Sequence, residues 1–159
     1  MRTGVRFAID LGTRRIGVAR SDAAGILALP VETVYREGGQ EMFRITELVA
    51  EYNAKEIIIG LPRLLSGKEG KNAADVRSWG AELEQLLPTC NIRLVDERLT
   101  SVSAHQQLRS AGLGGREHKG VVDQQAAVLI LEQALEIERR TGRAPGLPLG
   151  NGSESEGAR

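Results

Sequence analysis

Cysteine occurs once in the chain, at Cys90, so no internal disulfide can form and the fold has to be held by its core. Aromatic residues make up only 3% of the sequence. The core is therefore expected to be aliphatic, and base stacking on aromatic platforms is not expected as a main binding device. An excess of charge of either sign is also missing, since 21 basic residues face 21 acidic ones. That balance argues against a uniformly basic coat for non-specific DNA binding, while leaving room for a local basic rim. There is no long apolar run and no leader-like segment at the N-terminus, so the reading is a cytoplasmic chain with no membrane partner. No internal repeat is present.

What is present is an ordinary globular composition. Of 159 residues, 41% are hydrophobic and 26% charged, which fits one domain with a single core. After Thr141 the composition shifts to Gly, Pro, Ser and Glu, ending in NGSESEGAR. The division expected is a folded domain over residues 1–140 and a disordered tail over 141–159.

The stretch Val5–Asp22, VRFAIDLGTRRIGVARSD, organises the rest. Two alternating runs flank a glycine-centred break and predict a β-hairpin. On the first run Phe7, Ile9 and Leu11 share one face, and Arg6, Ala8 and Asp10 share the other. Asp10 thus ends an otherwise apolar strand, where a carboxylate is costly unless a positive group meets it. Gly12 offers no side chain to block a ligand and can take φ > 0 in the turn. Arg14 and Arg15 project beside it. A carboxylate, a bare backbone and two guanidinium groups suit a metal-plus-phosphate site.

Further along, ILALPVETVY predicts a third strand, placed at an edge by Pro30. Met42, Ile45, Leu48, Val49 and Tyr52 recur at helical spacing, and EIIIGLP predicts a strand buried on both faces. The loop RLLSGKEGK follows. A second helix, marked by Val76, Trp79, Leu83, Leu86 and Leu87, stops near Pro88. IRLVDE is the fifth strand. Thr100 or Ser101 can cap a short third helix, GLGGREHKG reads as a flexible basic loop, and a last helix is expected from Val122 to Arg139. This order predicts an α/β fold: a five-stranded mixed sheet, its first three strands antiparallel and the others parallel, with helices on both faces.

Three acidic positions could meet in that topology. Asp10 ends the first strand, the Asp96–Glu97 pair ends the fifth, and Asp123 begins the last helix. Ligands bind at the carboxyl ends of strands in such sheets. Close carboxylates repel unless a cation lies between them, and Mg²⁺ or Mn²⁺ takes oxygen ligands of this kind. Adjacent strand residues point to opposite faces, so Asp96 and Glu97 compete for the inward place. Asp123 has a second possible role as a helix cap. Arg14, Arg15, Arg63, Lys68, Lys71, Arg98, Arg116 and Lys119 all fall in loops or turns at the same edge, as phosphate-positioning groups do. His105 and His118 lack metal-ligand spacing.

Four segments resemble the YqgF family, also called RuvX-like and regarded as Holliday junction resolvases or pre-16S rRNA nucleases. They are DLGTRRIGVARSD (Asp10–Asp22), GLPRLLSGKEG (Gly60–Gly70), DERLTS (Asp96–Ser101) with Ala104, and VDQQAAVLIL (Val122–Leu131). The resemblance implies an RNase H-like fold and a phosphodiesterase using Mg²⁺ or Mn²⁺. It implies Asp10, Glu97 and Asp123 as catalytic metal ligands. From their place in loops at that edge, Arg14, Arg15, Arg63, Lys68, Lys71, Arg98 and Lys119 are expected to contact the nucleic acid. The function expected is endonucleolytic trimming of the 5′ end of pre-16S rRNA, with ribosomal precursor particles as partners. The alternatives are a Holliday junction resolvase and a non-catalytic nucleic-acid module. DLGT also resembles the phosphate loop of actin-like ATPases and sugar kinases, but those need two lobes and this chain has one.

Overall fold

The structure is a computed structural model that describes the backbone of residues 1–97 and 116–150, and the side chains of 1–97 and 122–150. The predicted short helix after Thr100 lies outside the described residues, as do Arg98, His105 and residues 151–159.

Six strands form one sheet in the order β3-β2-β1-β4-β5-β6. β1 (Arg6–Leu11), β2 (Arg15–Ser21) and β3 (Ala28–Tyr35) are joined antiparallel, and β4 (Glu56–Leu61) and β5 (Asn91–Asp96) run parallel to β1. β3 is the edge strand that Pro30 requires, and its register slips opposite Val18 and Ala19. The five strands expected from sequence become six. A short strand, β6 (Leu147–Pro148), pairs antiparallel with β5.

Two apolar layers sandwich the sheet. On one face Phe7, Ile9, Ile57, Ile59 and Leu94 pack under α1 (Glu41–Tyr52) and α2 (Lys71–Leu86), through Ile45, Leu48, Val76 and Leu83. On the other face Ala8, Ala19, Ile58 and Val95 pack under Ala127, Ile130, Leu131 and Ala134 of α3 (Arg116–Thr141). The small residues on the second face let α3 lie close. A Cβ on Gly17 would stand 2.0 Å from the carbonyl oxygen of Asp123, so only glycine permits that approach.

The last helix begins earlier than expected. Residues 116–120, read as flexible loop, are helical. Arg, Glu and Lys are good helix formers, and a helix already growing on a buried face extends backwards at little cost, even through Gly120. Asp123 therefore lies two turns inside α3 rather than at its start, which removes the capping alternative. Residues 142–150, read as the beginning of a solvated tail, lie along β5 instead. Leu149 is buried, its N–H donates to the Ile92 carbonyl at 3.0 Å, and the Arg93 guanidinium donates to the carbonyls of Pro145 and Gly146.

Candidate active site

β1, β4 and β5 all end at the same sheet edge. Side-chain alternation sorts the acidic pair that ends β5. Ile92 and Leu94 face α1 and α2, so Asp96 shares their face, whereas Glu97 continues the face of Val95, Ile58 and Ala8. That is also the face of Asp10, which lies across from Gly17 in the hairpin. Glu97 and Asp10 share a side-chain hydrogen bond. Gly60 makes room for Glu97, whose Oε1 lies 3.3 Å from where a Cβ on that glycine would stand. Burial is the main force pushing the Glu97 carboxyl above its ordinary pKa, the Asp10 hydrogen bond pulls it back, and the Asp96 charge adds to the rise.

Asp123 is brought to the same corner by α3, through the contact of its backbone with Gly17. Asp123 is buried, and its carboxylate is held by Arg15, with Nε to Oδ2 at 2.7 Å. Among the described residues no three acidic, histidine or cysteine side chains stand close enough to enclose one ion. The expected trio is thus a contacting pair, Asp10 and Glu97, with a third carboxylate beside it turned to a guanidinium. This division follows from charge, because a third bare carboxylate would add repulsion where Arg15 offers neutralisation.

The basic residues divide as well. Arg15 is committed to Asp123, and Arg63 to Asp96 at 3.3 Å. Arg14, Lys68 and Lys71 are exposed and have no acidic partner among the described residues. Arg98 lies outside the described residues, and the Lys119 side chain likewise. Lys119 itself is on helical backbone, not in a loop.

Sequence reading missed Arg36. Its Nη1 donates to the Gly12 carbonyl at 2.7 Å and to Asp75 Oδ2 at 3.0 Å, and its backbone N–H donates to the Arg14 carbonyl at 2.9 Å. Arg36 thereby clamps the turn that carries Asp10, Arg14 and Arg15 onto α2. Nothing in the sequence links two positions 24 residues apart. Gly12 also differs from expectation. Its φ is not positive, and glycine is needed there because a Cβ would stand 2.6 Å from the Arg15 carbonyl oxygen.

A mixed sheet with this strand order, flanked by helices and carrying carboxylates at the ends of parallel strands, defines an RNase H-like protein. RuvC of Thermus thermophilus has the same fold. Its structure in complex with a Holliday junction substrate superposes with a TM-score of 0.57 at 13% identity, covering 91% of this chain and 99% of that one. A second RuvC structure from that organism gives 0.54 at 14% identity, over 91% of this chain and 99% of that one. The chain belongs to the RuvX family, described as Holliday junction resolvases, whose family model matches residues 4–137. A relative in Thermobifida fusca is 50% identical, covering 92% of this chain and 96% of its own length. One in Streptomyces coelicolor is 51% identical, with 92% and 88% covered. Both carry the provisional name pre-16S rRNA nuclease.

Proposed function

We propose that this protein is a metal-dependent endonuclease that trims the 5′ end of pre-16S rRNA on ribosomal precursor particles in the cytoplasm. The nuclease unit runs past residue 140 to take in β6. The observation that carries the reading is the contact between Asp10 and Glu97 at the carboxyl ends of parallel strands. Two carboxylates brought together against a raised pKa are a site awaiting positive charge. Their all-oxygen donor set fits Mg²⁺ or Mn²⁺, which commonly take one or two carboxylates and complete their shell with substrate phosphate and water. The names of the relatives favour pre-16S rRNA as the substrate.

Asp10 and Glu97 would hold the cation, and Asp123 would join them on leaving Arg15. When bound, the cation supplies an acidified water and neutralises charge on the scissile phosphate. The chain's own groups do the rest. Arg14, Lys68 and Lys71 take the flanking phosphates and Arg15 a phosphate at the site, while Arg98 and Lys119 extend the contact. Arg63 instead acts through Asp96, holding the end of β5. The Gly12 turn, fastened by Arg36, keeps Asp10 in register with this rim.

The test compares wild type with Asp10→Asn on a 5′-extended rRNA leader and on a synthetic four-way DNA junction, with Mg²⁺ or Mn²⁺ and with chelator. Cutting of the RNA is expected, lost on chelation and reduced by roughly a hundredfold or more in the variant. Equal cutting by Asp10→Asn overturns the assignment. Preferred cutting of the junction would favour the second reading, a resolvase, which the family's description suggests.

A further inference from the structure

The loop between β4 and α2 carries a feature that phosphate binding leaves unused. Leu65 stands at its tip with its side chain wholly in solvent, at 105% of the reference exposure. A leucine so placed forfeits its burial free energy, and a slack loop would turn it inward. This loop is a closed turn. The Leu64 N–H donates to the Lys68 carbonyl and the Gly67 N–H to the Leu64 carbonyl, both at 2.8 Å. Gly67 adopts φ +89°, in the left-handed region, and its carbonyl accepts from the Arg63 guanidinium at 3.0 Å. Leu64, itself half exposed at 53%, folds back on the loop, its Cδ2 3.2 Å from where a Cβ on Gly70 would stand. Glu69 pairs with Arg77 of α2 at 2.8 Å and fastens the far side. The turn lays one leucine against Gly70 and leaves the next with no contact to the described residues beneath it.

The tip is also braced against the carboxylates. Arg63 pairs with Asp96, the residue before Glu97, and Gly60 backs Glu97 from the end of β4. Lys68 and Lys71 flank the tip, and Arg14 stands on the turn that ends β1 at the same sheet edge. An apolar knob in a rim of cations suits a polyanion with apolar surface between its charges, which is what a base stack is. Proteins that enter a stack without an aromatic platform use aliphatic wedges.

We propose that Leu65 is such a wedge. It enters the base stack of RNA at the step where paired strand gives way to single strand, with Lys68, Lys71 and Arg14 on the neighbouring phosphates. Unstacking is cheapest where pairing ends, so the wedge sets which phosphate reaches Asp10 and Glu97. This rests on the nuclease reading, yet it can be tested apart from catalysis.

The probe is an RNA hairpin with a 5′ single-stranded extension and 2-aminopurine at the last paired position. It is mixed with the full chain in chelator, using wild type, Leu65→Ser and Leu65→Phe. Wild type and Leu65→Phe should raise the fluorescence severalfold, and Leu65→Ser should leave it flat. With Mg²⁺, Leu65→Ser should cut the junction about tenfold more slowly while cutting a fully single-stranded control like wild type. A fluorescence rise retained in Leu65→Ser overturns the wedge. So does a fall in its melting temperature, which would mean that Leu65 packs within the chain. If wild type raises the fluorescence but cuts neither RNA, the nuclease reading fails and the wedge stands. If wild type cuts with no fluorescence change, the wedge alone fails.

Discussion

Gly17 decides more of the site than any charged residue does. It lies across from Asp10 in the hairpin and carries the backbone of Asp123 on its open face. A methyl group there meets backbone, which cannot swing aside as a side-chain end could. Gly17→Ala should therefore lift the Asp123 turn of α3 from β2. The expected cost is about 1–3 kcal/mol of stability, read from urea unfolding, with disproportionate loss of any metal-dependent activity. A variant of unchanged stability would show that α3 can slide without cost. At this scale the sequence was informative about Asp10, because a carboxylate in an apolar strand stands out. It was silent between Asp96 and Glu97, since strand alternation needs a register before it can name a face. Glu97 shares a face with Asp10 only because the β4–β5 pairing sets that register.

Among the elements, the one composition concealed is the stretch that ends in β6. Gly, Pro and Arg after Thr141 carry the signature of a tail, yet Leu149 reaches the core and lies against Gly80 of α2. Two backbone carbonyls of this stretch take the guanidinium of Arg93, which burial otherwise leaves short of solvent. Ending the chain after Thr141 should cost about 2–4 kcal/mol, from one buried leucine and the hydrogen bonds lost. Thermal unfolding of the truncated chain checks this, and an unchanged midpoint would return the stretch to the status of a tail. The start of α3 was misjudged for a related reason. The glycines at 112, 114, 115 and 120 weigh heavily in a local reading, whereas a helix anchored by Ala127, Ile130, Leu131 and Ala134 carries its own weak beginning.

Across the whole molecule, charge is concentrated at opposite ends of the sheet. The carboxylates and free cations occupy the ends of the parallel strands. At their beginnings lies a second cluster, in which Arg2 reaches Glu56 at 2.9 Å and Glu138 at 2.8 Å, and Arg6 reaches Glu138 at 3.0 Å. Hydrogen bonds from Arg2 hold the Glu138 carboxyl at about 2, well below its ordinary value, with Arg6 adding to the effect. A depressed carboxylate stabilises the fold above its unfolded pKa, near 4.3, and that contribution is lost as pH falls toward the folded value. The melting temperature should therefore drop between about pH 4.5 and pH 2, with on the order of 2 kcal/mol resting on this group. Glu138→Gln should flatten that part of the profile and lower stability at neutral pH. A profile unchanged by the substitution would remove the cluster from the stability of the fold. No helix among the described residues is long or apolar enough to cross a membrane.

The order of β1 to β5 with α1 and α2, the edge position of β3 and the acidic residues that end β1 and β5 were legible in the sequence. Alternation, helical spacing and a proline's missing donor are local properties, carried by neighbours in the chain. The pairing of Glu97 with Asp10, the diversion of Asp123 to Arg15, the clamp of Arg36 on Gly12 and the capture of Leu149 belonged to the tertiary structure. Each joins residues far apart in sequence. Contacts of that kind depend on strand register and on how near one helix lies to the sheet, and no local pattern of residue types encodes either.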